Sequence, residues 1–186
     1  VKKVESTSVG LNVVGNVDCD SLNNAGISTF TGNASFAGEV SVAGDLDIAD
    51  EIAHIGDTNT KIRFPAADTF TVETAGSERL RIDSSGRMGL GITPTDYHSN
   101  NTAVFQLKDG NAIFSRTGGT FLGMFQNIKY NSSDVTQYVT SNAASAYFQA
   151  AGTHKFYTVA SGTADNNATL NERLRITNDG YVQLGA

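Results

Sequence analysis

The chain has no tryptophan, two prolines and a single cysteine, Cys19, among its 186 residues. One cysteine excludes an intrachain disulfide framework and a cysteine zinc site. No apolar run approaches the roughly 20 residues that a membrane-spanning helix needs, so no membrane insertion is expected. No segment of signal type, charged and then apolar, opens the sequence. Its first residue is Val1 rather than Met, and the expectation is a fragment or processed piece of something longer. Basic residues are also scarce, at 13 Lys and Arg against 19 Asp and Glu, for a net charge of −6. A nucleic-acid binder needs a basic face to meet phosphates, so none is expected. The signatures GxSxG, HExxH, GxxxxGK[ST] and CxxC are all missing, which removes the common routes to a nucleophile, a zinc or a nucleotide. Gly89-Leu90-Gly91 follows no strand-to-helix pattern and is no phosphate loop.

Apolar residues make up 39% and charged residues 17%, the balance being largely Gly, Ser, Thr, Asn and Ala. That is lean for a globular enzyme. Val, Ile, Leu and Phe nevertheless recur at strand spacing along the chain, and no part reads as a long helix.

The densest pattern runs from Phe30 to Asn59, which divides into FTGNAS, FAGEVS, VAGDLD, IADEIA and HIGDTN. First positions are Phe30, Phe36, Val42, Ile48 and His54; fifth positions are Ala34, Val40, Leu46, Ile52 and Thr58. The third is Gly in four of the five, and the fourth is Asn33 and then Glu39, Asp45, Glu51 and Asp57. Side chains alternate along an extended chain, so positions one, three and five share a face. A fixed repeat of this kind marks a stacked β architecture in which no unit is stable alone. Two arrangements supply the missing burial: a single-chain left-handed β-helix, or several chains about one axis. Five hexads make fewer than two coils of the former, so the multi-chain form, most simply a homotrimer, is expected. Its core would be Phe30, Phe36, Val42, Ile48, Val40, Leu46 and Ile52. An earlier hexad, VVGNVD from Val13 to Asp18, precedes a polar insertion at Asn23, Asn24 and Gly26.

Beyond His54 the pattern becomes one of short strands and turns. KIRF (61–64) and TFTVET (69–74) flank a turn, and ERLRIDSSGRMGLGI (78–92) reads as a hairpin turning at Ser84, Ser85 and Gly86. A polar connector, 92–102, carries an expected domain boundary. Candidate strands follow at 103–107, 112–116, 120–130, 135–139, 146–150 and 155–160, spaced by turns as in a sandwich or barrel. ERLRI then recurs at 172–176, 94 residues after its first copy. The expected fold is all-β: an intertwined trimeric β stem with hexapeptide-like repeats, then a small antiparallel β-sandwich-like domain. Expected boundaries are 1–29 for N-terminal stem strands, 30–59 for the hexad stem, 60–101 for a hairpin module and connector, and 102–186 for the compact domain.

GDTNTKIRFPAADTFTVETAGSERLRIDSSGRMGLGI (56–92), with GISTFTGNASFAGEVSVAGDL before it and the stretch from FQLKDGNAIFSRTGG to the second ERLRI after it, resembles modular segments of tail fibres and related structural proteins of tailed bacteriophages, notably those infecting marine cyanobacteria. The resemblance spans about Gly26 to Gly185. It implies a slender homotrimer with β stems and small β-rich bulges, projecting from a virion, joined to other virion proteins and acting at the host exterior on a surface glycan or protein receptor. It also implies a non-enzymatic role, with no cofactor. A self-cleaving chaperone domain often follows such modules in relatives, and this sequence stops at Ala186. The alternatives are a passive shaft or decoration protein, and a polysaccharide-cleaving spike with carboxylate pairs between chains.

Candidate residues are few. Tyr130, Tyr138, Tyr147 and Tyr157 belong to the compact unit and are the expected receptor contacts, since exposed aromatic rings stack on sugars; strand alternation sends about half of such aromatics to the core instead. His54 sits in an apolar column, either as an axial ligand in a trimer or as a partly wet cap. His98 and His154 are expected in solvent-exposed loops. The acidic ladder reads as a solvated face, because consecutive members lie roughly 20 Å apart and cannot share an ion. Arg79, Arg81, Arg173 and Arg175 are expected in interchain or cross-strand ion pairs with Glu78 and Glu172.

Overall fold

The computed structural model describes residues 3–7, 10–14, 27–95 and 101–185. They are nearly all β, with one 3-10 turn and no α-helix, and so no helix long and apolar enough to cross a membrane. Contacts divide the chain into two units, 1–46 and 47–186.

In the first unit, β1 (Lys3–Thr7) and β2 (Gly10–Val14) pair antiparallel. The earlier hexad at 13–18 lies mostly outside the described residues, as do Cys19 and His98. From 27 to 50 the chain belongs to no strand and bends at Thr31-Gly32, Ala37-Gly38, Ala43-Gly44 and Ala49-Asp50, once every six residues. The hexads are therefore written in the backbone as well as in the residues. Among the described residues their apolar columns are largely uncovered: Phe30 is 67% exposed, Phe36 63% and Leu46 65%, while Ile48 is half-buried.

The second unit is built on one mixed sheet of twelve strands. On its first half lie β3 (Glu51–His54), β4 (Asp57–Ala66), β5 (Thr69–Thr74), β6 (Ser77–Ile82) and β7 (Met88–Leu90). The second half holds β8 (Asn101–Leu107), β9 (Asn111–Arg116), β10 (Phe121–Gln126), β13 (Ala144–Ala150), β14 (Thr153–Val159), β15 (Asn171–Ile176) and β16 (Val182–Leu184). Neighbours in the sheet follow chain order except that β10 pairs with β13, and every pair is antiparallel except β7 with β8. The strands omitted from that order, β11 (Ile128–Tyr130) and β12 (Thr136–Tyr138), form a separate two-stranded flap.

Three expectations change here. The fifth hexad, 54–59, is no further repeat but the turn of the β3–β4 hairpin, with His54 opposite Asp57. The 92–102 connector separates no two sheets, because β7 and β8 pair directly across it. The compact unit is not a sandwich of two comparable sheets: a single sheet extends through it, and only the flap adds a second layer.

The flap exists because of Asn127. The stretch 120–130 reads as one strand, but Asn127 takes a left-handed conformation, φ 58, which Asn tolerates better than most residues. Chain direction changes there, so Ile128, fully buried, and Tyr130 are laid over the sheet. Between flap and sheet sits the core. Phe114, 1% exposed, meets Phe125, Phe121, Tyr130 and Phe148 with ring centroids 4.9 to 6.5 Å apart. Gly123 lies opposite Phe114 in the register, and a Cβ there would stand 2.4 Å from the Phe114 ring. The bare glycine backbone is thus one wall of the aromatic core. Gly123→Ala must displace a packed ring, and we expect a loss of about 1–3 kcal/mol in urea unfolding, with native β signal retained.

Candidate functional site

The two faces of the sheet differ throughout. On one, each strand presents an apolar side chain in register with the next. Ile52, Ile62, Val72, Leu80 and Leu90 align from β3 to β7. Through Met88, two residues before Leu90, the line passes to Phe105, Ile113 and Met124. It ends through Tyr147, Phe156, Leu174 and Leu184. Among the described residues no second layer lies over this row: Leu90 is 46% exposed, Met124 45% and Leu184 80%, with Val72, Leu80, Phe105, Tyr147 and Leu174 half-buried.

The opposite face is largely covered within the chain, although the buried hydroxyl of Thr71 finds no hydrogen-bond partner there. Its middle carries the aromatic core and flap. Beside them, charged groups pair: Lys61 Nζ lies 2.8 Å from Glu51, and Arg63 reaches Asp50, Glu51 and Glu73 at 3.3 to 3.5 Å. Asp57 accepts a hydrogen bond from Thr60. The last two members of the acidic ladder are therefore occupied by the hairpin that follows the hexads.

The two ERLRI strands adopt the same geometry. In β6 the guanidinium of Arg81 donates two hydrogen bonds to Glu78, at 2.9 and 2.6 Å; in β15 Arg175 does the same to Glu172, at 2.8 and 2.8 Å. Residues three apart in a regular strand face opposite ways. Here the register shifts between Val72 and Glu73 and again between Phe156 and Tyr157, leaving Arg79 and Arg173 as the extra residues of two bulges. A bulge reverses the alternation for the residues beyond it, which puts each Glu and Arg on one face. The expected cross-strand pairs are thus pairs along one strand. Arg79 and Arg173 instead donate from Nε to Thr74 and Thr158, both at 2.8 Å.

The tyrosines separate into three situations. Tyr130 and Tyr138 are core residues, 8% and 7% exposed, so the expectation that they stack on a receptor sugar is corrected. Arg116 donates to the Tyr130 hydroxyl at 2.9 Å, and burial pushes that phenol above its ordinary value. The Tyr138 hydroxyl donates to the Ala160 carbonyl at 2.6 Å. Tyr157 is half-buried against the core and donates to Glu172; burial raises its pKa too, reinforced by that carboxylate. Tyr147 stands in the apolar row, its ring 4.8 Å from that of Phe156. Its hydroxyl shares a hydrogen bond with His154 Nδ1 and accepts one from Gln149. His154 is therefore half-buried in β14 rather than in an exposed loop, whereas His54 is exposed at the end of β3. Among the described residues no three His, Cys, Asp or Glu side chains gather as a metal site. An open cleft of about 580 Å³ lies at one end of the strands, lined by Ser115, Thr120, Leu122, Gln149 and His154 among others.

The residue that sequence reasoning missed is Asn127, 3% exposed. Its amide nitrogen donates to the carbonyls of Thr140, Asn142 and Ala143 at 3.1 to 3.3 Å, and its amide oxygen accepts from the backbone and hydroxyl of Thr140 at 2.8 Å each. Only its place in a run of strand-like residues, as the one with ready access to a left-handed conformation, could have flagged it. Comparison with protein-family models, with curated proteins and with solved structures returned no match.

Two predictions follow from these contacts. Asn127→Asp replaces a donor with a carboxylate facing three carbonyls, and should cost at least about 1–3 kcal/mol in denaturant unfolding. The pH response has a definite sign. The hydrogen bonds from Arg175 hold the Glu172 carboxyl below its ordinary range; Asp83 is also held down, because the backbone N–H groups of Arg87 and Ser85 and the Arg87 guanidinium outweigh its burial. Their contribution is present above the unfolded-state values near 4 and is lost as pH falls through the lower folded values. The unfolding midpoint should therefore drop on acidification below about pH 4, and E172Q with D83N should flatten that slope.

Proposed function

We propose that this chain is a segment of a trimeric fibre-like structural protein of a tailed bacteriophage, a non-enzymatic part of the virion that carries or forms a host-surface adhesin. The observation that carries this reading is the six-residue spacing of the bends between 31 and 50, coupled to apolar columns that one chain leaves uncovered. Such a stretch gains burial only from copies of itself that repeat the same spacing alongside it. The four hexads from Phe30 to Ala53 are too few for a chain to coil on itself, which favours a parallel bundle of three. The duplicated bulged hairpin supports the reading further, as a module reused along a fibre.

Within this class the burial of Tyr130 and Tyr138 favours a shaft or decoration role over a receptor-binding tip. The four tyrosines do not form an exposed platform, so an adhesin role would rest on other surface.

Light scattering of the whole chain should give three times the monomer mass. Leu46→Asp places a charge in the hexad column and should reduce the trimer fraction severalfold while leaving the far-UV β signal of the sheet. A folded monomer for the unsubstituted chain would end the fibre reading. Fluorescently labelled trimer applied to a panel of marine cyanobacteria then separates the roles: saturable binding identifies an adhesin, and its absence a shaft.

A further inference from the structure

We infer that the apolar row of the twelve-stranded sheet is a homotypic interface, the inner wall of a rod made by three copies of this chain, with the rod axis running across the strands. The inference rests on the trimeric reading above and adds to it the face, the direction and the extent of the contact.

A row that takes one residue from each strand runs along the hydrogen-bonding direction. With neighbouring strands about 4.8 Å apart, twelve strands give a row about 53 Å long. Its width varies. Phe70, Ile82 and Met88 lie in register beside Val72, Leu80 and Leu90, so the row is two residues wide from β5 to β7. In β9, β13 and β14 it narrows to one, where Ile113 stands between Asn111 and Ser115 on its face, Tyr147 between Ser145 and Gln149, and Phe156 between His154 and Thr158. A long apolar seam one to two residues wide, with polar margins in β9, β13 and β14, suits a line of contact about an axis.

The dimensions fit three copies. Six-residue strands are about 20 Å long, and three such walls set as a triangular prism put each wall about 6 Å from the axis. Facing β-sheets pack about 10 Å apart, so the large apolar side chains of the three walls meet across the space. A strip about 53 Å by 14 Å covers about 750 Å² of each protomer, close to the roughly 800 Å² per partner of a stable interface. The usual twist of a sheet makes the three walls wind about one another.

Two further observations select copies of this chain as the occupant. Ile52 holds the fifth position of the fourth hexad and is also the first residue of the row, so the sheet's seam begins where the hexad pattern ends. The opposite face is already covered by the flap and by ion pairs, leaving this one open. Tyr147 and the His154 beside it then lie inside the rod, and any receptor contact falls to the flap side.

Cross-linking tests the face. In a Cys19→Ser background, Met124→Cys places a thiol in the row and Ser133→Cys places one on the exposed flap turn; each trimer is treated with a short bis-maleimide. Covalent chain pairs are expected in most molecules for Met124→Cys and in few for Ser133→Cys. Met124→Lys is accommodated by the single chain, where this position is 45% exposed, and should shift the mass from trimer towards monomer with the β signal retained. A trimer that cross-links through Ser133→Cys but not Met124→Cys, or that tolerates Met124→Lys unchanged, overturns this face and leaves the trimer standing. A monomeric unsubstituted chain overturns both.

Discussion

Side chains alternate along a strand, and the pairings from β3 to β16 keep that alternation in phase across twelve strands. Everything else about the second unit depends on this coherence. A single slip of one residue at any pairing would send the aliphatic set of every later strand to the other face. Register shifts do occur, at five of the pairings. The two at Arg79 and Arg173 sit near the start of their strands, so that Leu80 and Leu174 still arrive in the row, with Ile82 and Ile176 on the same face. The same bulges bring Glu78 to Arg81 and Glu172 to Arg175, so one backbone irregularity both preserves the apolar phase and creates the bidentate pair.

Covering a sheet on one face takes a second layer, and this chain supplies a small one. The flap, the rings of Tyr130 and Tyr138 and the buried Ala168 close over Phe114, Phe125 and Phe148. Away from that centre the same face is finished by ion pairs among partly exposed groups, which contribute little individually to stability. Most of the packing energy is therefore concentrated between β8 and β14. The meander from β3 to β7 holds mainly by its ladder and by continuity with that centre through the one parallel pairing, β7 to β8.

Much of the local structure was legible. KIRF, TFTVET, both ERLRI strands and the expected strands at 103–107, 112–116, 146–150 and 155–160 are found where period-two alternation places them. Errors arose where a local signal was neutral. Asn127 interrupts what reads as one strand, since nothing within 120–130 says which residue will turn left-handed until the carbonyls of Thr140, Asn142 and Ala143 are there to receive its amide. The polar neighbours of His154 predict a loop, whereas its pairing with Gln149 and Ile176 places it in the sheet, where its ring meets the Tyr147 hydroxyl.

By itself the sequence determined that the described residues form strands and turns rather than helices, that a six-residue pattern starts at Phe30 and that a hairpin is used twice, since these depend on periodicities of two and six written in adjacent residues. The tertiary structure alone decided which face each tyrosine occupies, that β7 and β8 join across the connector in one sheet, and that apolar positions of twelve strands gather on one face. Those outcomes depend on register between strands far apart in the chain, and register is set by turns, bulges and the position of Asn127 acting together rather than by any one segment.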